Sequence, residues 1–165
     1  MNLDPRDENL STLVIGVGNT LRKDDGVGPS IAEVVESWRL PGVSTLATFS
    51  LTPELATIVA ESRHVIFADA RLASDDSERC EVETLNARPT SNTLGHALDP
   101  RTLLSLAGRV YDRWPEALRV TVPAMDLSLG EGFSPTARRE MAQALLVIAA
   151  ELAKAKRNES CTKLE

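Results

Sequence analysis

The sequence predicts an α/β fold: a three-layer sandwich in which helices cover both faces of a five-stranded, mostly parallel sheet. Two observations support this class. Short apolar runs alternate along the chain with amphipathic segments of helical period, and two of these segments open with a capping residue followed by proline, at 52–53 and 99–100. The 165 residues contain no repeat or linker, which indicates a single domain over 1–165. We expect residues 1–11 and 156–165 to be flexible termini.

Three strands and two helices are expected in the first half of the chain. The strands are the short apolar runs at 12–17, 43–49 and 64–69. Apolar residues recur at helical spacing from Ile31 to Trp38, which predicts a first helix over 29–40. Thr52 and Pro53 have the layout of an N-cap and first helical position, so a second helix begins there.

The second half is expected to add two strands and two helices. A polar loop over 71–79 leads to a short strand around Val82, and the short connection favours an antiparallel strand at the sheet edge. Asp99 and Pro100 start the third helix, and an alternating apolar stretch over 118–122 predicts the fifth strand. The last helix starts at 134–135, and its apolar stripe gives way to a charged tail near Lys154.

Composition excludes several functional classes. A net charge of -6 and a pI near 5.0, without clustered Lys and Arg, argue against nucleic acid as a partner. No apolar run approaches the roughly 20 residues of a membrane span, so no membrane partner is expected. The polar, acidic N-terminus does not resemble a secretory signal, which predicts a cytoplasmic protein. Cys80 and Cys161 lack metal-site or redox spacing and are expected to be free thiols.

Three polar residues fall where ligands bind in open α/β sheets, beyond the carboxyl ends of the strands. Asp25 follows the first strand, Asp69 closes the third, and His96 stands in the loop before the third helix. Two carboxylates and one imidazole suit a divalent ion such as zinc or nickel, with a coordination position left open. The alternative is that the acidic residues only cap turns or form a solvated pair at 24–25. His64, which enters a strand, is interpreted as structural.

The glycine-rich loop GVGNTLRKDDG, residues 16–26, differs from the loops that bind phosphate. The dinucleotide fingerprint requires glycine where this chain has Leu21, and the GxxxxGK[ST] phosphate loop is absent. Two adjacent carboxylates, Asp24 and Asp25, would also repel a pyrophosphate. The loop therefore suits a cation.

Four segments together resemble the hydrogenase maturation endopeptidases. The first and most specific is GVGNTLRKDDGVG at 16–28; the others are VIFADA at 65–70, HALDPRTLLSLA at 96–107 and FSPTAR at 133–138. The resemblance spans about residues 12–155. It implies a cytoplasmic endopeptidase that removes a C-terminal extension from the large-subunit precursor of a nickel-iron hydrogenase once nickel has been inserted.

The resemblance also assigns roles to residues. Asp25, Asp69 and His96 correspond to the family's metal ligands and would be the catalytic residues, with nickel supplied by the substrate and zinc or another divalent ion possible in isolation. The residues that would shape the loop are Gly18, Asn19, Asp24, Gly26 and Gly28. No nucleophile is expected, because HExxH and GxSxG motifs are absent. Water would be activated by metal or by a carboxylate, Asp25 by preference.

The chain departs from the family pattern at the substrate edge. Residues 49–53 read FSLTP where many members carry a glycine pair, and Leu94 and Gly95 precede His96 where serine or threonine is usual nearby. These departures bear on which precursor is cleaved. Two other functions stay open from the sequence: a non-catalytic, metal-dependent checkpoint or chaperone for the same precursor, and a small-molecule-binding α/β module.

Overall fold

A computed structural model describes residues 12–75, 77–86 and 98–162, the last five of them by backbone alone. His96 lies outside these residues, as do most of the loop before the third helix and Cys161's side chain. Within the described ranges, no helix is long and apolar enough to cross a membrane.

The five strands form one sheet with helices on both sides. The strands are β1 (Thr12–Val17), β2 (Val43–Thr48), β3 (His64–Leu72), β4 (Glu81–Leu85) and β5 (Glu116–Ala124). The helices are α1 (Val27–Ser37), α2 (Ala56–Ala60), α3 (Pro100–Tyr111) and α4 (Pro135–Thr162), and 3-10 turns at Lys23–Gly26 and Pro53–Leu55 precede α1 and α2. The strand order is β2-β1-β3-β5-β4, with β4 antiparallel to β5 and the other pairs parallel. The predicted α/β fold class, with its antiparallel edge strand, is confirmed.

Alternation along the strands divides the core between the two faces of the sheet. On β3, Phe67 belongs to the cluster packed by α2 and α3, whereas Ile66 and Ala68 belong to the cluster packed by α1 and α4. Because successive side chains of a strand point to opposite faces, Asp69 lies on the same face as Phe67. This face carries the polar residues described below.

Two strands extend further than the sequence pattern predicts. β3 continues past Asp69 to Leu72, because residues 70–72 still pair with β5, and β5 continues through Pro123. Proline lacks an N–H and is excluded from fully paired strands. Pairing with β4 reaches only Thr121, so Pro123 lies where β5 has a partner on one side alone. Asp69 is therefore inside a strand rather than at its end.

Two helices also differ in their bounds. α1 begins at Val27, two residues before the expected start, with Pro29 in its first turn where proline is tolerated. α4 continues to Thr162, beyond the end of the apolar stripe near Lys154. Residues 153–157 of this extension read AKAKR, and alanine, lysine and arginine have high helix propensity.

Glu78 holds the connection from β3 to β4 in place. We expect the stability that its contacts contribute to be lost at low pH. Glu78 accepts hydrogen bonds from the Ser74 hydroxyl (2.6 Å) and N–H (2.7 Å) and pairs with Arg71, which together lower its pKa from 4.5 to about 2. A pKa depressed in the folded state gives stability that is present above the unfolded pKa and lost as the pH falls through the folded one. Glu78→Gln should therefore lower the melting temperature at pH 7.

The difference between wild type and Glu78→Gln should narrow as the pH falls from 4.5 towards 2, measured by thermal unfolding at several pH values. Glu36→Gln, at an exposed position of α1, is the control and should leave the melting temperature near the wild-type value at each pH. If the difference in melting temperature between wild type and Glu78→Gln stays constant with pH, the lowered pKa of Glu78 is contradicted.

Candidate active site

The carboxyl edge of the sheet is built by an unusually close approach of backbone segments. A Cβ on Gly28, in the first turn of α1, would lie 2.2 Å from the carbonyl oxygen of Val17 and 2.6 Å from that of Ala68. A Cβ on Gly16 would lie 2.0 Å from the carbonyl oxygen of Gly28. Two of the glycines in the motif thus allow α1 to begin directly against the ends of β1 and β3.

The loop between β1 and α1 closes on itself through Asp25. Gly18 has φ +146°, and a Cβ there would lie 1.9 Å from the carbonyl oxygen of Asp25. The Asn19 N–H donates to Asp25 Oδ2 at 2.9 Å, while Asn19 Oδ1 accepts from the Leu21 N–H at 2.9 Å. These contacts fix the Asp25 carboxylate at the sheet edge through one oxygen. Among the described residues, its Oδ1 has no hydrogen-bond donor.

Asp24 has the opposite environment from its neighbour. It is fully buried, and its carboxylate accepts three backbone hydrogen bonds: from Met125 (2.8 Å), Asp126 (3.0 Å) and Ser134 (2.7 Å). Its N–H donates in turn to the Asp126 carbonyl at 3.1 Å. Asp24 therefore ties the glycine loop to the segment between β5 and α4. The idea that both carboxylates form a solvated pair does not fit this residue.

Asp69 lies near Asp25 and is partly buried. Burial is the main cause of its raised pKa, and the negative charge of Asp25 raises it further, whereas Arg119 and the Ala70 N–H oppose the shift. Asp25 therefore lies close enough to Asp69 for the two negative charges to interact. Asp69 Oδ1 accepts from the Ala70 N–H at 2.8 Å, and its Oδ2 is 3.5 Å from Arg119 Nη2. Two carboxylates that repel each other suit a cation.

The third predicted ligand, His96, lies in 87–97 and so outside the described residues. Over the described ranges, no group of three His, Cys, Asp or Glu side chains could hold a metal ion. The structure therefore brings Asp25 and Asp69 together, and the three-ligand site with His96 stays a prediction. The possible metal ligands among the described residues are the carboxylate oxygens of Asp25 and Asp69, one of which, on Asp25, accepts no hydrogen bond there. Oxygen ligands of this kind fit a divalent cation.

Arg119 is a site residue that the sequence analysis missed. It lies on β5, on the face of the sheet that carries Asp69, and it forms a long ion pair with that carboxylate. A charged residue between Leu118 and Val120 in a central strand was the available signal, because such strands are otherwise apolar. His64 lies at the opposite edge of the sheet, 3.2 Å from Glu116, away from the acidic pair.

Comparison with known proteins gives matches among solved structures. HybD, a hydrogenase maturating endopeptidase from Escherichia coli, is 25% identical with a TM-score of 0.69, over 88% of this chain and 93% of that one. HycI, a [NiFe] hydrogenase maturation protease from Thermococcus kodakarensis, is 19% identical with a TM-score of 0.68, over 87% and 93%. A hydrogenase 2 maturation peptidase from a Thaumarchaeota archaeon is 23% identical with a TM-score of 0.63, over 86% and 97%. No protein-family model and no curated protein matches the chain.

The fold and the site define a class: a single-sheet α/β protein with two neighbouring carboxylates at the carboxyl edge, Asp25 on a glycine-rich loop and Asp69 on β3. The three solved structures named above share this fold along nearly their whole length, and each is a hydrogenase maturation protease or peptidase. By structure as well as by sequence, the chain resembles the hydrogenase maturation endopeptidases, and the resemblance inferred from its sequence is confirmed.

Proposed function

We propose that this protein is an endopeptidase that removes a C-terminal extension from a nickel-loaded hydrogenase large-subunit precursor. The observation that carries the proposal is the pair of neighbouring, electrostatically coupled carboxylates, Asp25 and Asp69, at the carboxyl edge of a fold shared with HybD. Ligands in open α/β sheets bind at this edge. The likeness to proteins named as maturation proteases supplies the reaction type.

The acidic pair would recognise the nickel of the substrate. Among the residues that the structure describes, one Asp25 oxygen has no hydrogen-bond donor, and Asp69 is a desolvated carboxylate whose pKa is raised. A cation between them would relieve the repulsion and offset the cost of burial, so an occupied precursor would bind better than an empty one. His96 would add an imidazole ligand. Nickel loading would thereby license cleavage.

The chain's own contribution to hydrolysis would be general base catalysis. Asp25 would accept a proton from water as the water oxygen adds to the scissile carbonyl carbon. The carbon–nitrogen bond then breaks, and the proton passes to the departing amine, so that a carboxylic acid and an amine are formed. The substrate's nickel would position the peptide bond and polarise its carbonyl.

The surface around the acidic pair favours a protein substrate. Four apolar side chains at this end of the molecule are mostly exposed: Leu21 (66%), Phe49 (70%), Leu72 (71%) and Leu129 (76%). They follow or end strands at the carboxyl edge, and the Gly130 N–H, next to Leu129, bonds to the Leu21 carbonyl at 3.0 Å. Several large apolar side chains left exposed at the same end of a molecule suit contact with a protein, here the precursor.

The small-molecule alternative is weaker on structural grounds. Phosphate loops use glycine to bring free backbone N–H groups up to a ligand. Here the space beside Gly16 and Gly28 is filled by the protein's own backbone, and the Asn19 N–H is already bound to Asp25. The checkpoint or chaperone alternative uses the same site and differs only in the absence of cleavage.

Nickel-loaded and nickel-free precursors should therefore be incubated with the purified protein and analysed by mass spectrometry. We expect only the loaded precursor to be shortened, and Asp25→Asn to slow its cleavage by at least about 100-fold, as for loss of a general base. Asp112→Asn, which changes an exposed aspartate after α3, should cleave normally.

The outcomes separate the candidate functions. Equal cleavage of both precursors would contradict nickel recognition, and normal cleavage by Asp25→Asn would remove that residue from the mechanism. A stable complex with an intact loaded precursor would favour the checkpoint function. Absence of both binding and cleavage, together with a thermal shift on adding nucleotides, would favour the small-molecule module.

A further inference from the structure

Arg119 is placed where it can act on whatever occupies the acidic site. In the register of β3 and β5 it pairs with Phe67, one position along the same face from Asp69 and its partner Thr121. Across the other edge of β5, Arg119 pairs in register with Glu83, but that carboxylate is bound by Arg101. The guanidinium is therefore left with Asp69 as its acidic neighbour among the described residues.

The contact between Arg119 and Asp69 uses little of the arginine's capacity. Arginine and carboxylate normally form two parallel hydrogen bonds of about 2.7–2.9 Å. Here one nitrogen, Nη2, approaches one oxygen at 3.5 Å. Arg119 Nε is buried and has no hydrogen-bond partner among the described residues, although the side chain as a whole is 35% exposed. A buried donor without an acceptor is costly and is uncommon away from functional sites.

Arg71 provides a comparison on the same face of the sheet. Its Nε is also buried and has no hydrogen-bond partner within the described ranges, but its terminal nitrogens bind Glu78, Glu81 and the Arg79 carbonyl oxygen. Those contacts hold the connection from β3 to β4. Arg119 has no comparable set of contacts with the described part of the chain, so a structural role explains Arg71 and leaves the terminal nitrogens of Arg119 available.

We propose that Arg119 is a substrate-binding residue whose guanidinium donates to a backbone carbonyl oxygen of the precursor segment lying against Asp25 and Asp69. The proposal rests on the function proposed above and adds a contact to the peptide itself. The partly exposed terminal nitrogens reach the bound segment, and the fixed charge stabilises negative charge on that oxygen as water adds. Arg119 thus orients the peptide, while the acidic pair binds the nickel.

Kinetics with the nickel-loaded precursor test this contact. Arg119→Gln should lower kcat/KM by about 10- to 100-fold, the loss expected for a hydrogen bond to a charged group. Arg119→Lys, which keeps the charge without the planar fork, should recover part of that loss. Arg109→Gln, at an exposed position in the last turn of α3, is the control and should retain wild-type kcat/KM.

A double-mutant cycle on precursor binding distinguishes contact with substrate from an effect through Asp69. Dissociation constants are measured with labelled, nickel-loaded precursor for wild type, Asp69→Asn, Arg119→Gln and the double variant. If Arg119 contacts the peptide, Arg119→Gln should weaken binding in the Asp69→Asn background as well. No further weakening there would show that Arg119 acts only on Asp69, and would overturn the proposal.

The remaining outcomes are also decisive. Wild-type kcat/KM in both Arg119 variants would overturn this inference while leaving the proposed function intact. A wild-type protein that neither binds nor cleaves the loaded precursor would overturn the proposed function and this inference with it. Melting temperatures show whether each variant is folded. If Arg119→Gln does not fold, Arg119→Lys provides the test, because a normal kcat/KM in that variant would contradict a contact made by the planar guanidinium.

Discussion

Gly28→Ala is expected to unfold the protein or to lower its free energy of unfolding by roughly 3 kcal/mol or more, at the upper end of what overpacking costs. The added methyl would lie 2.2 Å from the Val17 carbonyl oxygen and 2.6 Å from that of Ala68. Both neighbours are strand backbone and cannot rotate away. The helix would have to leave the sheet edge and move the whole loop with it.

The sign of this effect makes it informative. Gly28 lies within α1, where alanine is intrinsically preferred over glycine by about 1 kcal/mol. A substitution judged by helix propensity alone would therefore be stabilising. Only the close approach of α1 to β1 and β3 predicts a large loss.

Denaturant unfolding followed by circular dichroism measures the effect. Gly26→Ala is a graded comparison, because its Cβ would meet the nearest atom, Thr20 Cα, at 3.1 Å with φ -78°, and it should cost less. Glu33→Ala, on the exposed side of α1, is the control and should change stability by no more than about 0.5 kcal/mol. A Gly28→Ala protein as stable as the control would refute the packing argument.

The fold could be predicted from the sequence because its elements depend on local periodicity. The buried strands read as apolar runs and α3 begins at its Asp99 cap, whose carboxylate accepts from the Thr102 N–H at 2.6 Å. The ends of β3 and β5 could not be predicted in the same way. These ends are decided by pairing between strands that are about 50 residues apart in the chain. The pairing of β3 with β5 continues past Asp69, and Pro123 is tolerated in β5 because it lies beyond the last residue that pairs with β4.

The candidate site was predicted only in part, for a similar reason. The sequence shows that acidic residues follow β1 and occur in β3, but it does not distinguish two adjacent aspartates by role. What separates Asp24 from Asp25 is a set of backbone donors 101 to 110 residues further along the chain. Arg119, 50 residues from Asp69, was missed because only the strand register brings it alongside.

Asp24→Ala is accordingly expected to be the most destabilising substitution of an acidic residue in the loop, by about 3 kcal/mol or more. It would leave the N–H groups of Met125, Asp126 and Ser134 without their acceptor, and each unsatisfied buried donor costs about 1–3 kcal/mol. Water entering the space would recover some of this. Asp24→Asn should lose less stability, because the amide oxygen can still accept hydrogen bonds. Some loss should remain, because the NH₂ group would face a backbone N–H donor.

Asp25→Asn should show the reverse pattern, with a free energy of unfolding within about 1 kcal/mol of wild type and a large loss of cleavage, because the amide oxygen can still accept from the Asn19 N–H. Urea unfolding and precursor cleavage, measured on both variants, give the comparison. Asp24→Ala should lose stability first and cleavage only as a consequence, so that residual activity follows the folded fraction. Equal stability losses in the two variants would mean that the carboxylates share one role, and that the loop is not divided into an anchor at Asp24 and a reactive group at Asp25.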